Sequence, residues 1–254
     1  SEHKALLQRQ SAFGLERTMI RIQQVTRRFG DQTILDHLSL DFEERHVHAL
    51  IAPNGSGKTT LLGIIADILA PNEGRVIDTH TRRKPNTTIL LSGENNLFMK
   101  NTVRENLRYL AAIQGVSARE AHDIVQELIR LAPVVRDLDG RKVEELSYGQ
   151  KRMVAIASAA VSKSSCLIVD EAAEGLDIDN VQALVALLRF VARHQTVIIA
   201  SHDLHFCFEA ADSFHFLAHG KVTTVAKPAS YEQLVDEYES LFAAKGGATH
   251  EGHH

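Results

Sequence analysis

The stretch Ala52-Pro53-Asn54-Gly55-Ser56-Gly57-Lys58-Thr59-Thr60 restricts the folds open to this chain more than any other. The apolar run Val47-His48-Ala49-Leu50-Ile51 precedes it, and a helix is expected over residues 59–70. Strand, turn and helix in that order form the setting of a phosphate-binding loop. Glycines at 55 and 57 can take backbone angles closed to other residues, so successive N–H groups can point at one anion. The helix N-terminus adds partial positive charge. Lys58 supplies a full charge for the β- and γ-phosphates, and the Thr59 hydroxyl can ligand Mg²⁺. Ala52 stands where the eight-residue pattern has its first glycine. Its methyl fits if φ at 52 is negative. A plain glycine turn is the competing reading, and Gly57-Lys58-Thr59-Thr60 at the helix start weighs against it. The chain is expected to bind a nucleoside triphosphate.

The chain has 254 residues, of which 44% are hydrophobic and 24% charged, enough for one large α/β domain with an inserted subdomain. The net charge of −4 advertises no nucleic-acid partner. Cys166 and Cys207 lie far apart without metal-type spacing and read as reduced, buried thiols of a cytosolic protein. No apolar run reaches the ~18–20 residues that span a bilayer. No secretory signal is evident, and His250, His253 and His254 read as a tag remnant.

Residues 1–18 are polar and mixed and read as an extension. Ile20, Ile22 and Val25 suggest an edge strand followed by Arg27-Arg28-Phe29-Gly30-Asp31, and Leu38, Leu40 and Phe42 alternate in a second strand. The two are expected to form an antiparallel layer beside the phosphate-loop strand. Phe29 reads either as core filler or as a stacking surface for a flat base. Pro71-Asn72-Glu73-Gly74 is a turn leading to strands near 75–77 and 88–91, with Arg82-Arg83-Lys84 as a solvated loop between them. From Thr102 the texture is helical, over 103–114 and 118–131, with a break at Pro133. Thr102 with Glu105 and Ser117 with Glu120 form capping boxes. Residues 94–160 read as an inserted helical subdomain, residues 19–93 and 161–225 as the nucleotide-binding core, and 226–254 as a C-terminal helix and tail.

Leu146-Ser147-Tyr148-Gly149-Gln150 opens an apolar helix, a second but weak anion site, since serine is a common N-cap. Cys166-Leu167-Ile168-Val169-Asp170-Glu171 reads as a buried parallel strand ending in two carboxylates, where ligands gather in such sheets. Asp170 can hold Mg²⁺ and Glu171 can polarise a water for attack on the γ-phosphate. A later strand, 196–200, ends in Ser201-His202-Asp203. His202 reads as a hydrogen-bond donor to transferring oxygens or as a structural histidine.

In this order these motifs resemble the ATP-binding-cassette (ABC) ATPases, and the resemblance covers about residues 19–225. It implies a P-loop α/β fold with a mixed core sheet flanked by helices, an antiparallel β layer and an inserted helical subdomain. Phe29 resembles the aromatic that stacks on adenine. Asn54, Gly55, Ser56, Gly57, Lys58, Thr59 and Thr60 correspond to the phosphate loop. Ser147, Gly149 and Gln150 resemble the family signature, with Tyr148 where glycine is usual. Asp170 is similar to the Mg²⁺ carboxylate, Glu171 to the catalytic base and His202 to the switch histidine. The family's ligands are ATP and Mg²⁺. Two such domains close head to tail, each phosphate loop facing the other's signature across one ATP. Implied partners are therefore a second cassette, identical or sibling, and separate transmembrane chains that hold the protein on the inner face of the membrane.

The chain departs from the family pattern at several positions. Gly93 replaces a glutamine, leaving the adjacent Glu94 as a candidate Mg²⁺ contact. Ala172 replaces a proline, and Arg45, Ala49 and Ala52 replace glycines. The run Leu97-Phe98-Met99-Lys100-Asn101-Thr102-Val103-Arg104-Glu105-Asn106-Leu107 resembles small exporter-type cassettes, so export is expected. Two other readings remain open. One is a degenerate cassette that binds ATP beside an active partner, motivated by Tyr148, Gly93 and Ala52. The other is a soluble, non-transport ABC ATPase, against which the missing heptads and duplication count.

Overall fold

The structure, a computed structural model, describes residues 18–91 and 97–242. Gly93, Glu94, residues 1–17 and the histidine-bearing tail lie outside the described residues. Strands β1 (Thr18–Phe29), β2 (Gln32–Glu43) and β4 (Glu73–Asp78) form an antiparallel sheet of order β2-β1-β4. The first strand is therefore central rather than an edge. Its residues Ile20–Ile22 pair with β4 as well as with β2, and β4 is separated from β1 by more than forty residues and not legible locally.

The second sheet joins β3 (Val47–Ile51), β5 (Thr87–Leu90), β6 (Cys166–Asp170), β7 (Thr196–Ala200), β8 (Ser213–Ala218) and β9 (Lys221–Ala226) in the order β5-β6-β7-β3-β8-β9. All its pairings are parallel except the closing β8–β9 hairpin. Every residue of β3 and β7 is buried, as strands covered on both faces require. Alternation then sends neighbouring side chains to opposite cores. Leu50, Ile168 and Ile198 pack with Ile20, Phe42, Leu61 and Leu62 beneath the antiparallel sheet. Ala49, Leu167, Val169 and Val197 pack with Leu107, Val125, Met153 and Leu188 on the helical side.

Helices α1 (Lys58–Ile65), α2 (Val103–Ile113), α3 (Ala118–Leu131), α4 (Pro133–Leu138), α5 (Tyr148–Ala160), α6 (Ile178–Val191), α7 (Leu204–Ala210) and α8 (Tyr231–Phe242) surround the two sheets. α1 stops about a turn earlier than its apolar pattern suggests. Asp67 takes φ 58°, and Ile68 N–H and Asp67 N–H bond back to Gly63 O and Ile64 O at 2.9 and 3.2 Å. That is a Schellman end built on aspartate instead of glycine. The break expected at Pro133 is present, since α3 ends at Leu131 and Ala132 is extended at φ −109° and ψ 96°; Pro133 then opens α4, because a first-turn N–H has no helical partner to lose. Thr102 and Glu105 form a full capping box, whereas Ser117 caps α3 without the return bond from Glu120. Among the described residues no helix is long and apolar enough to cross a membrane.

Candidate functional site

β3 ends at Ile51, and the loop after it turns tightly: Ser56 N–H and Oγ–H both donate to Pro53 O, at 3.3 and 2.6 Å. Ala52 is buried with a negative φ, so its methyl meets the condition the sequence set. Gly55 and Gly57 take φ 77° and 100°. At 57 glycine is needed twice over, because a Cβ there would stand 2.8 Å from Ile34 Cγ2. Gly57 is the N-cap of α1, which aims the free N–H groups of Lys58, Thr59 and Thr60 out of the loop. Lys58 is 8% exposed; its Nζ donates to Ala52 O at 2.7 Å and lies 4.0 Å from Glu171 Oε1. The ammonium thus spans the loop and the strand-end carboxylate.

A cavity of about 360 Å³ joins Phe29, Asn54, Gly55, Lys58, Thr59, Thr60, Asp170 and Glu171. The carboxylates arrive there because Asp170 ends β6, in register with Ala200 at the end of β7. Burial, and then the neighbouring charge of Glu171, raise the Asp170 carboxyl above the ordinary aspartate range. Glu171 sits at φ 46°, a left-handed conformation rare for a side chain of its size. His202 leaves the end of β7 and places Nδ1 3.0 Å from Glu171 Oε2. Its turn is braced by Ser201 Oγ, which accepts from Asp203 N–H, and by Asp203, which caps α7.

The donor set suits Mg²⁺. Thr59 and Asp170 offer hard oxygens at one cavity, and among the described residues no group of three or more His, Cys, Asp or Glu could cage a metal alone. Such a site takes an ion that completes its shell with phosphate and water oxygens.

Phe29 is 49% exposed and is not core filler. The Arg27 guanidinium carbon lies 4.4 Å from its ring centroid, which backs one face of the ring.

Ser147, Gly149 and Gln150 do not line this cavity. Ser147 caps α5, and Gln150 returns the bond to Ser147 N–H at 3.1 Å, a capping box not foreseen for this helix. Gly175 and Leu176 pack against that helix start. Gly175 approaches the Tyr148 ring, and a Cβ on Gly149 would stand 2.7 Å from Leu176 Cδ2. Sequence reasoning also passed over Arg152, which is buried in α5 and donates to Leu91 O and Asp170 O. Its only signal was a lone arginine at the edge of an apolar helical run.

The ABC transporter family profile matches residues 35–174. An uncharacterized ABC transporter ATP-binding protein of Bacillus subtilis, YhaQ, is 33% identical over 82% of this chain and 71% of its own length. The Nod factor export ATP-binding protein I of Burkholderia lata is 30% identical over 82% of this chain and 71% of its own length. The Fe(3+) ions import ATP-binding protein FbpC of Escherichia coli O157:H7 is 27% identical over 89% of this chain and 67% of its own. Both transport directions therefore occur among these relatives. In fold, CbiO1 of Clostridium perfringens, described as part of an ABC transporter complex, superposes with TM-score 0.73 at 23% identity, over 88% of this chain and 93% of that one.

Proposed function

From the premise that this chain belongs to the ABC transporter family, as one of its ATP-binding, ATP-hydrolysing domains, we propose that it powers a multi-chain membrane transporter through ATP-driven pairing of two such domains. The observation that carries this is the convergence on one cavity of Lys58, Thr59, Asp170 and Glu171, with His202 held on Glu171.

On substrate binding, Lys58 exchanges the Ala52 carbonyl for β- and γ-phosphate oxygens, and the N–H groups of residues 55–60 cradle the triphosphate. Phe29 stacks on the adenine with the face that Arg27 leaves open. Glu171 takes a proton from the attacking water, and His202 orients that carboxylate through Nδ1. Thr59 and Asp170 would hold Mg²⁺, with Glu94 as a proposed further ligand, and the ion would supply charge neutralisation at the phosphate oxygens.

The Ser147 helix start is not part of this cavity's lining, which supports its serving the ATP of a second cassette, identical or sibling, in a head-to-tail pair. On the helical subdomain of residues 94–160, beside the core of 19–93 and 161–225, Phe98, Met99, Tyr109 and Ile113 are 40%, 44%, 49% and 60% exposed. Phe98 and Tyr109 stack edge-on at 4.5 Å. An exposed apolar patch of this kind suits a protein partner, and we assign it to separate transmembrane chains that hold the protein on the inner face of the membrane. The exporter-like run from Leu97 to Leu107 favours export.

The test is twofold. The purified chain is expected to hydrolyse ATP saturably, and Lys58→Ala to weaken ATP binding at least tenfold. Tyr109→Glu with Ile113→Glu is expected to leave that turnover intact while releasing the protein from the membrane fraction. A wild type without turnover would favour a degenerate cassette instead.

A further inference from the structure

Among the described residues, Arg152, five residues into α5, is one of the bulkiest side chains that are fully buried, at 2% exposure. Its Nη1 donates to Leu91 O at 2.8 Å and its Nη2 to Asp170 O at 2.6 Å. Asp170 closes β6, and Leu91 directly follows the neighbouring parallel strand β5. One guanidinium thus ties a helix to the carboxyl ends of two adjacent strands. Burying a cation is costly, and an apolar side chain of similar volume often serves stability as well or better. Stability alone does not call for arginine at this place.

The position supplies another reason. Ser147 and Arg152 share the first turns of one helix, about 7 Å apart along its axis. Ser147 opens the helix start that is absent from this chain's phosphate-loop cavity, while Asp170 lines that cavity. In a head-to-tail pair the two therefore belong to different ATP molecules. Arg152 is in direct contact with the Asp170 backbone and rides on the same helix as Ser147. The planar fork matters, because one guanidinium can hold two carbonyls in fixed directions. A lysine is a point donor on a flexible stem.

We propose that Arg152 is a positioning residue that couples the two ATP sites of the paired cassettes, moving Leu91 and Asp170 with α5 when its N-terminus closes on the partner's triphosphate. This rests on the head-to-tail reading above. Coupling between sites in proteins is typically about 5- to 150-fold in affinity, which sets the scale of the expected effect.

The experiment uses the full chain with Arg152→Lys and Arg152→Met. Nucleotide affinity is measured on dilute protein and the Hill coefficient of ATP turnover on the otherwise unaltered chain. ATP-dependent dimerisation is followed by light scattering in a Glu171→Gln background. The parent protein is expected to dimerise with ATP and turn over with a Hill coefficient above one. Arg152→Lys should bind ATP within about threefold of the parent, lose the cooperativity, and need at least about tenfold more protein to dimerise, on the coupling scale above. A purely structural role would lower the unfolding midpoint and leave the Hill coefficient where it was. If Arg152→Met does not fold, Arg152→Lys, which keeps the charge, decides. Parental cooperativity and dimerisation in Arg152→Lys would overturn the coupling role alone. A Glu171→Gln parent that stays monomeric in ATP would overturn the pairing of two copies of this chain, and the coupling between them with it.

Discussion

His202 Nδ1 lies 3.0 Å from Glu171 Oε2, although the two residues are 31 positions apart and leave neighbouring parallel strands. The bond fixes the direction of a carboxylate whose own backbone is in a left-handed conformation. Replacing His202 by Ala is expected to lower ATP turnover by about 10²-fold, the lower end of a general acid–base contribution, while ATP binding stays within a few-fold. Steady-state kinetics beside equilibrium nucleotide titration separates the two.

Phe29 offers one ring face to solvent and the other to Arg27. Base–aromatic stacking is worth about 1–3 kcal/mol per base, so Phe29→Ala should weaken ATP binding by about 5- to 150-fold. Binding of inorganic triphosphate, which has no base, should not change. Calorimetric titration with both ligands checks this, and Phe29→Trp should retain ATP affinity.

At the signature helix the constraint is steric. A methyl on Gly149 meets the flexible end of Leu176 at 2.7 Å, so Gly149→Ala should cost about 1–3 kcal/mol through overpacking. Adding Leu176→Ala removes the obstacle and should recover part of that loss. Chemical denaturation of the single and double variants measures it, and a double variant less stable than the sum of both singles would contradict the contact.

The buried pair His48 and His215 makes stability depend on pH. His48 Nε2 faces Glu43 O at 2.9 Å, so it carries the proton, and Nδ1 accepts from Ser213 Oγ or His215 Nε2, at 2.7 and 3.1 Å. Burial pushes His48 down to about 4 and His215 down to about 3, with the neighbouring imidazole adding to the effect on His215. Both sit below the unfolded value near 6.5. The unfolded chain therefore binds more protons as pH falls, and the stability present above about pH 6.5 is lost towards pH 4 and below. Each histidine contributes a slope of up to about 1.4 kcal/mol per pH unit. Denaturation midpoints between pH 7 and 4 should fall, and His48→Asn with His215→Asn should flatten the decline.

Much of this was legible in the sequence because it is local. The phosphate loop, the strand running into Asp170 and Glu171, and the Thr102 cap each depend on residues a few positions apart. What escaped depends on distant partners or on one unexpected backbone angle. The central place of β1 needs β4, and the early end of α1 needs Asp67 in a conformation usually left to glycine. Arg152 looks like any arginine beside an apolar helix until the carbonyls of Leu91 and Asp170 are placed around it.

ATP turnover and ATP-dependent dimerisation of the wild type and Glu171→Gln, measured side by side, test the central claim most directly. Loss of the general base should cut the rate by about 10²–10⁴-fold and leave the phosphate contacts of Lys58 and the loop intact, so the variant should accumulate as an ATP-bound dimer. A variant that hydrolyses at the wild-type rate, or that binds ATP and stays monomeric, would contradict it.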